Sequence, residues 1–183
     1  MTSDIHHNEQ GKTLSRSDTE KRRLEHQAAR VFLRCYEAEF GVPMRHIWHN
    51  EPAKPDTSCY CQNERLDLEI AHLYANESEA QLACGHAIEN PLWRYLSDLS
   101  GLDLQQRLNT ALTHLLRKKA TRHYHSQRVW LVIRNASPLW HRGDILEVVG
   151  QLQQQGLAHQ MTHFEQVWIV PDFEGQEALV RVK

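Results

Sequence analysis

Five consecutive apolar residues, Val129-Trp130-Leu131-Val132-Ile133, restrict the fold of this chain more than any other segment. Side chains of a strand alternate between its two faces, so a run with no polar member is a strand covered on both sides. Such a strand belongs at the centre of a sheet, between helices. The flanking sequence supplies them. Leu24, Ala28, Val31, Phe32 and Cys35 recur at a helical period in a segment from about Asp18 to Phe40. Ser17-Asp18-Thr19-Glu20 has the form of a capping box at its start, and Gly41-Val42-Pro43 stops it. A second helix begins at Asp103 and carries Leu104, Leu108, Ala111, Leu112 and Leu115 on one face.

Between the two helices lie three short strand-like runs, Met44 to Trp48, Thr57 to Cys61 and Leu66 to Ala71, parted by polar turns and readable as an antiparallel meander. Beyond the central strand, a helix over about Asp144 to Gln155 ends at Gly156, and Val167 to Val170 and Ala178 to Val182 read as closing strands. This order predicts an α/β domain with a mixed sheet flanked by helices. At 183 residues the chain suits one domain, residues 17–183, after a polar, flexible lead over residues 1–16. Its expected core is Val31, Phe32, Leu68, Ile70, Leu108, Leu112, Leu115, Leu131 and Ile133. The polar stretch after Tyr74, ending near Gly101-Leu102, reads as a lid or insertion. No apolar stretch approaches a membrane span and the N-terminus lacks a secretory pattern, so a cytoplasmic protein without a membrane partner is expected. Ala178 to Val182 is a candidate sheet edge, where a homodimer would pair.

The formal net charge of −2 excludes a globally basic polyanion binder, so distribution matters more than the total. Between His114 and Arg128 the chain carries Arg117, Lys118, Lys119, Arg122, His123 and His125 with no acid among them. That patch suits a phosphate backbone, or equally a solvated helix end whose cations complement the dipole. Cys35, Cys59, Cys61 and Cys84 read as small buried hydrophobes in a reducing compartment. A zinc set of Cys59, Cys61, Cys84 and His86 is the other reading, although its spacing departs from the usual ligand pairs.

Two carboxylates point to chemistry. Pro55-Asp56 opens the second strand, and Glu69 lies thirteen residues later in Leu66-Asp67-Leu68-Glu69-Ile70-Ala71. Alternation puts Asp67, Glu69 and Ala71 on one face and Leu66, Leu68 and Ile70 on the other. Acids held on a buried sheet need a partner, and a hard divalent cation suits two of them. Mg²⁺ (or Mn²⁺) takes one or two carboxylates, waters and a substrate phosphate oxygen, so Asp56 and Glu69 are the expected metal ligands. Helical phase turns Lys119 toward the sheet, where it would stabilise charge on phosphoryl oxygens. Extending the first helix's stripe by four residues from Cys35 reaches Glu39, the expected further acid. Each has a plain alternative: Asp56 as a turn residue, Glu69 paired with Lys119, and Glu39 solvated at a helix end.

The order helix, three strands, helix, strand, with Pro55-Asp56 at the second strand and Glu69 in the third, resembles the PD-(D/E)XK nuclease superfamily from about Asp18 to Arg134. Lys54-Pro55-Asp56, Leu68-Glu69-Ile70-Ala71-His72-Leu73-Tyr74 and Arg128-Val129-Trp130-Leu131-Val132-Ile133 are similar to small bacterial members described as restriction-endonuclease-like. The resemblance implies an α-β-β-β-α-β core, to which this chain adds a helix and two strands. It also implies Mg²⁺-dependent hydrolysis of phosphodiester bonds in DNA. The family motif has a lysine two residues after the glutamate, where this chain has Ala71. Some members supply it from the following helix, which by resemblance assigns that role to Lys119. Others have lost catalysis and keep the fold for binding nucleic acid or protein. The residues expected to reach nucleic acid are Arg117, Lys118, Arg122 and Arg128, and those expected in catalysis are Glu39, Asp56, Glu69 and Lys119.

Overall fold

The structure is a computed structural model that describes residues 16–50, 55–75 and 103–183. Residues 1–15 of the expected lead, residues 76–102 of the lid or insertion, and Cys84 and His86 of the zinc reading lie outside the described residues, while Arg16, the last residue of that lead, already belongs to the first helix.

Among the described residues the elements run α1 (Arg16–Phe40), β1 (Met44–His49), β2 (Thr57–Cys61), β3 (Glu64–Leu73), α2 (Leu104–Ala120), β4 (Val129–Asn135), α3 (Arg142–Gln154), α4 (Leu157–Gln160), β5 (Gln166–Val170) and β6 (Val180–Arg181). The six strands form one mixed sheet in sequence order. β1, β2 and β3 are antiparallel neighbours, β3, β4 and β5 are parallel, and β6 returns antiparallel. Gln62 and Asn63, at φ 53° and 65°, make the two-residue turn between β2 and β3, as a hairpin following the sheet's twist requires. A parallel partner cannot be reached by a tight turn, so β4 joins β3 only after the chain has crossed over through α2.

As the apolar run implies, β4 is buried along its whole length. Its two faces serve different layers. Trp130 and Val132 join Leu66, Leu68 and Ile70 of β3 and Ala28, Ala29 and Phe32 of α1 in one core. Val129, Leu131 and Ile133 join Leu108, Leu112 and Leu116 of α2 and Ile145 and Val148 of α3 in the other. Helices therefore cover both faces of a sheet whose centre is β3, β4 and β5.

Several boundaries differ from expectation. β3 is ten residues long, because pairing with β2 and β4 carries it beyond its apolar segment. On α2 the fully buried stripe is Leu108, Leu112 and Leu116, while Leu115 is half-buried and Leu104 exposed, a small rotation of the helix relative to the face read from sequence. Asp103, where the helix was expected to begin, is the cap of α2, its carboxylate accepting from Gln105 N at 3.0 Å. Ala178 to Val182 yields only Val180–Arg181 as strand, so the edge offered to a second copy is two residues long.

Gly175 shows how closely the C-terminal loop rests on α1. Its φ is +66°, and a Cβ there would stand 2.5 Å from Val31 Cγ1 and 2.6 Å from Cys35 Sγ. Overpacking and left-handed strain act together in Gly175→Ala, for an expected cost of about 2–4 kcal/mol. Chemical denaturation reads this directly, and a cost below about 1 kcal/mol would mean the loop moves off the helix freely.

Candidate active site

Glu69 sits in the middle of β3, on the face turned toward α2, at 2% exposure. Burial at that level requires compensation for its charge. It comes from the last turn of α2 and the loop beyond. Lys119 Nζ donates to Glu69 Oε1 at 2.5 Å and to the Ile70 carbonyl at 3.3 Å. The Lys119 side chain is only 12% exposed. Arg122, half in solvent, donates to the same Oε1 at 3.2 Å. The next position on this face of β3 is Ala71, so the ammonium arrives from a helix.

Asp56 immediately precedes β2, whose Thr57 lies opposite Leu68 of β3. That register brings its carboxylate to the backbone of Ile70, which donates to Oδ2 at 2.8 Å. Burial, and then the charges of Glu69 and Glu25, push Asp56 up to about 6, against the pull of the Ile70 N–H and Lys119. Asp56 and Glu69, placed by two neighbouring strands, therefore share one electrostatic environment.

Glu25 is the third acid of that environment. It is buried on α1, Lys21 lies 3.5 Å from its Oε1, and its pKa is raised chiefly by burial, with Glu69 adding to the effect. Glu39, the acid expected from α1, is a correction. It lies fourteen residues further along the helix, about 21 Å at 1.5 Å per residue, and its Oε2 accepts from Leu179 N at 2.9 Å. Glu39 ties the end of α1 to the C-terminal segment. The signal for Glu25 was present: it stands three, four and seven residues before Ala28, Ala29 and Phe32, all fully buried.

Tyr124 was also missed from the sequence. Its buried hydroxyl lies in the same environment, and burial together with the charge of Glu69 raises its pKa, so the phenol stays protonated. Nothing in its spacing marks it, because it follows α2 in an irregular loop.

The expected nucleic-acid contacts divide. Arg117 and Lys118 are exposed on the last turn of α2. Arg122 is turned inward to Glu69. Arg128 is held at 2.8 Å by Glu64 and at 3.0 Å by Glu165, so two carboxylates already neutralise its charge and it is a structural clamp at the start of β4.

Among the described residues, no group of three His, Cys, Asp or Glu is arranged to hold a metal ion. Asp56 and Glu69 still suit a cation that needs only one or two carboxylates and draws its other ligands from water and substrate. Asp56, raised to about 6 by burial and by Glu69 and Glu25, is the acid whose charge a divalent cation would relieve. The thiols suit a metal less well. Cys59 is pushed up to about 12, first by burial and then by Cys61 and Asp67, so it remains protonated.

No family model matches the chain, and no curated protein and no solved structure matches it.

Proposed function

We propose that this chain is a Mg²⁺- or Mn²⁺-dependent nuclease of the PD-(D/E)XK kind that hydrolyses phosphodiester bonds in DNA. The observation that carries the reading is that Asp56, just before β2, accepts from the N–H of Ile70, the residue after Glu69 in β3, while Lys119 Nζ stands 2.5 Å from Glu69. Among the described residues, the helix, three strands, helix, strand order from α1 to β4 is the order of a restriction-endonuclease-like core, which supports the reading. In this reading Asp56 and Glu69 hold the cation, and Glu25 from α1 takes the supporting role first assigned to Glu39. A divalent cation bound there supplies Lewis-acid polarisation of the scissile phosphate and a water of lowered pKa. Lys119 is held beside Glu69 by its bonds to Oε1 and the Ile70 carbonyl, and presents positive charge where the phosphoryl oxygens gain negative charge. Arg117 and Lys118 hold the DNA backbone outside.

One observation favours a second reading. Lys119 and Arg122 both donate to Glu69 Oε1, an arrangement that also serves a catalytically silent scaffold binding nucleic acid or protein. The two readings part in a single experiment. Calorimetry with Mn²⁺, alone and with a DNA duplex, is run on the wild type and on Asp56→Ala/Glu69→Ala, alongside a cleavage assay. The nuclease reading expects metal binding and metal-dependent cleavage, both absent from the double variant. Wild-type protein that binds DNA but neither takes up Mn²⁺ nor cuts would establish the silent scaffold instead.

A further inference from the structure

Resting on the nuclease reading, we propose that a groove along α1 is a second phosphodiester-backbone surface that guides a DNA strand to the acids from the opposite side of the sheet to α2. The groove has a volume of about 640 Å³ and is lined by Arg22, Arg23, His26, Arg30, Arg34 and His49, with Glu174 the one acid among the described lining residues. Arg22, His26, Arg30 and Arg34 recur every four residues, so one stripe of the helix carries them over about 18 Å. Along that length one strand of B-form DNA presents about five phosphates.

Charge in the groove is incompletely neutralised. Arg23 is held by Glu20, its Nε and NH2 donating to the carboxylate at 3.1 and 2.6 Å. Arg34 donates to the backbone carbonyl of Glu174, which satisfies a donor and leaves the charge standing. Arg30 is exposed and makes no ion pair with a described carboxylate. The His26 Nε2 is buried and has no hydrogen-bond partner among the described residues, and its ring meets that of His49 edge-on at 5.1 Å.

Position ties the groove to the site. His26 follows Glu25 on α1, and His49 lies opposite Thr57, the residue after Asp56. α1 and α2 cover opposite faces of the sheet, so the groove lies across the sheet from the basic last turn of α2.

The test is binding of a short fluorescent DNA duplex by the full chain in EDTA, across a salt series, for wild type, Arg30→Gln/Arg34→Gln and the single charge reversal Arg30→Glu. Arg30→Glu touches none of the loop contacts of Arg34 and guards against a folding defect. The slope of log K against log salt is expected to shrink by about two in the double variant and by at least about one in Arg30→Glu. Unchanged slopes in both variants would overturn the groove, as would a wild type that binds no DNA. The two readings fail separately: reduced slopes without Mn²⁺-dependent cleavage overturn the nuclease and keep the groove, whereas cleavage with unchanged slopes does the reverse.

Discussion

Glu69→Ala is expected to destabilise the protein by about 3–5 kcal/mol at neutral pH and to abolish metal-dependent cleavage. The cost arises at Lys119. Its side chain is 12% exposed, and its partners are Glu69 Oε1 at 2.5 Å and the Ile70 carbonyl at 3.3 Å. Removing the carboxylate leaves an ammonium whose one remaining hydrogen-bond partner among the described residues is a neutral oxygen. Arg122, half-exposed, swings to water at little cost. Two effects oppose the loss: Asp56 and Glu25 no longer face the charge of Glu69, which had raised both. These repulsions are partly offset by nearby cations and are smaller than the cost of an unpaired buried ammonium. The companion variant Glu69→Ala/Lys119→Met removes both charges, and chemical denaturation should show most of the stability recovered, since a buried pair replaced by apolar groups is often neutral. A Glu69→Ala protein as stable as wild type would mean that Lys119 reaches solvent and that the pair is not a buried one.

The reach of the sequence can be judged from these same residues. The apolar run of β4 announced a strand covered on both faces, and Trp130 and Leu131 do face two different cores. The period-two reading of β3 put Glu69 on the opposite face from Leu68, and the helical phase of α2 brought Lys119 to it across fifty residues. Such facts are local: a strand's faces follow from alternation and a helix's from its period. What failed needed three dimensions. Extending the α1 stripe forward from Cys35 reached Glu39, while the same stripe extended backward from Ala28 reaches Glu25. Periodicity does not say which end of a helix overlies a given strand. Arg128 looked like a free cation because Glu64 and Glu165, which neutralise it, belong to β3 and to the segment before β5. Ion pairs between distant elements leave no mark in spacing.

Asp56→Asn is expected to raise stability at pH 7.5 in EDTA by on the order of 2–3 kcal/mol, while eliminating cleavage. Asp56 is raised from its ordinary value of 3.8 to about 6, first by burial and then by Glu69 and Glu25. A folded-state pKa above the unfolded one means that the ionised carboxylate opposes folding. The penalty is absent below about pH 4, where both states are protonated, grows as pH rises toward 6, and is complete above it. A tenfold change in the protonation equilibrium corresponds to about 1.4 kcal/mol. Asparagine keeps an acceptor for the Ile70 N–H, which now donates to Oδ2 at 2.8 Å, and removes only the charge. For a chain of this length the gain corresponds to about 5–10 °C in Tm. Thermal melts at pH 7.5 and pH 4 test the sign, because the gain should vanish at the lower pH. Mn²⁺ should narrow the difference at pH 7.5 by stabilising only the protein that retains Asp56, and its affinity for the wild type should fall as pH drops through 6. A residue chosen for packing would not be left at the cost of folding. An Asp56→Asn protein that melts no higher than wild type at pH 7.5 would place Asp56 among the structural acids, and would remove the main physical reason for seating a cation between β2 and β3.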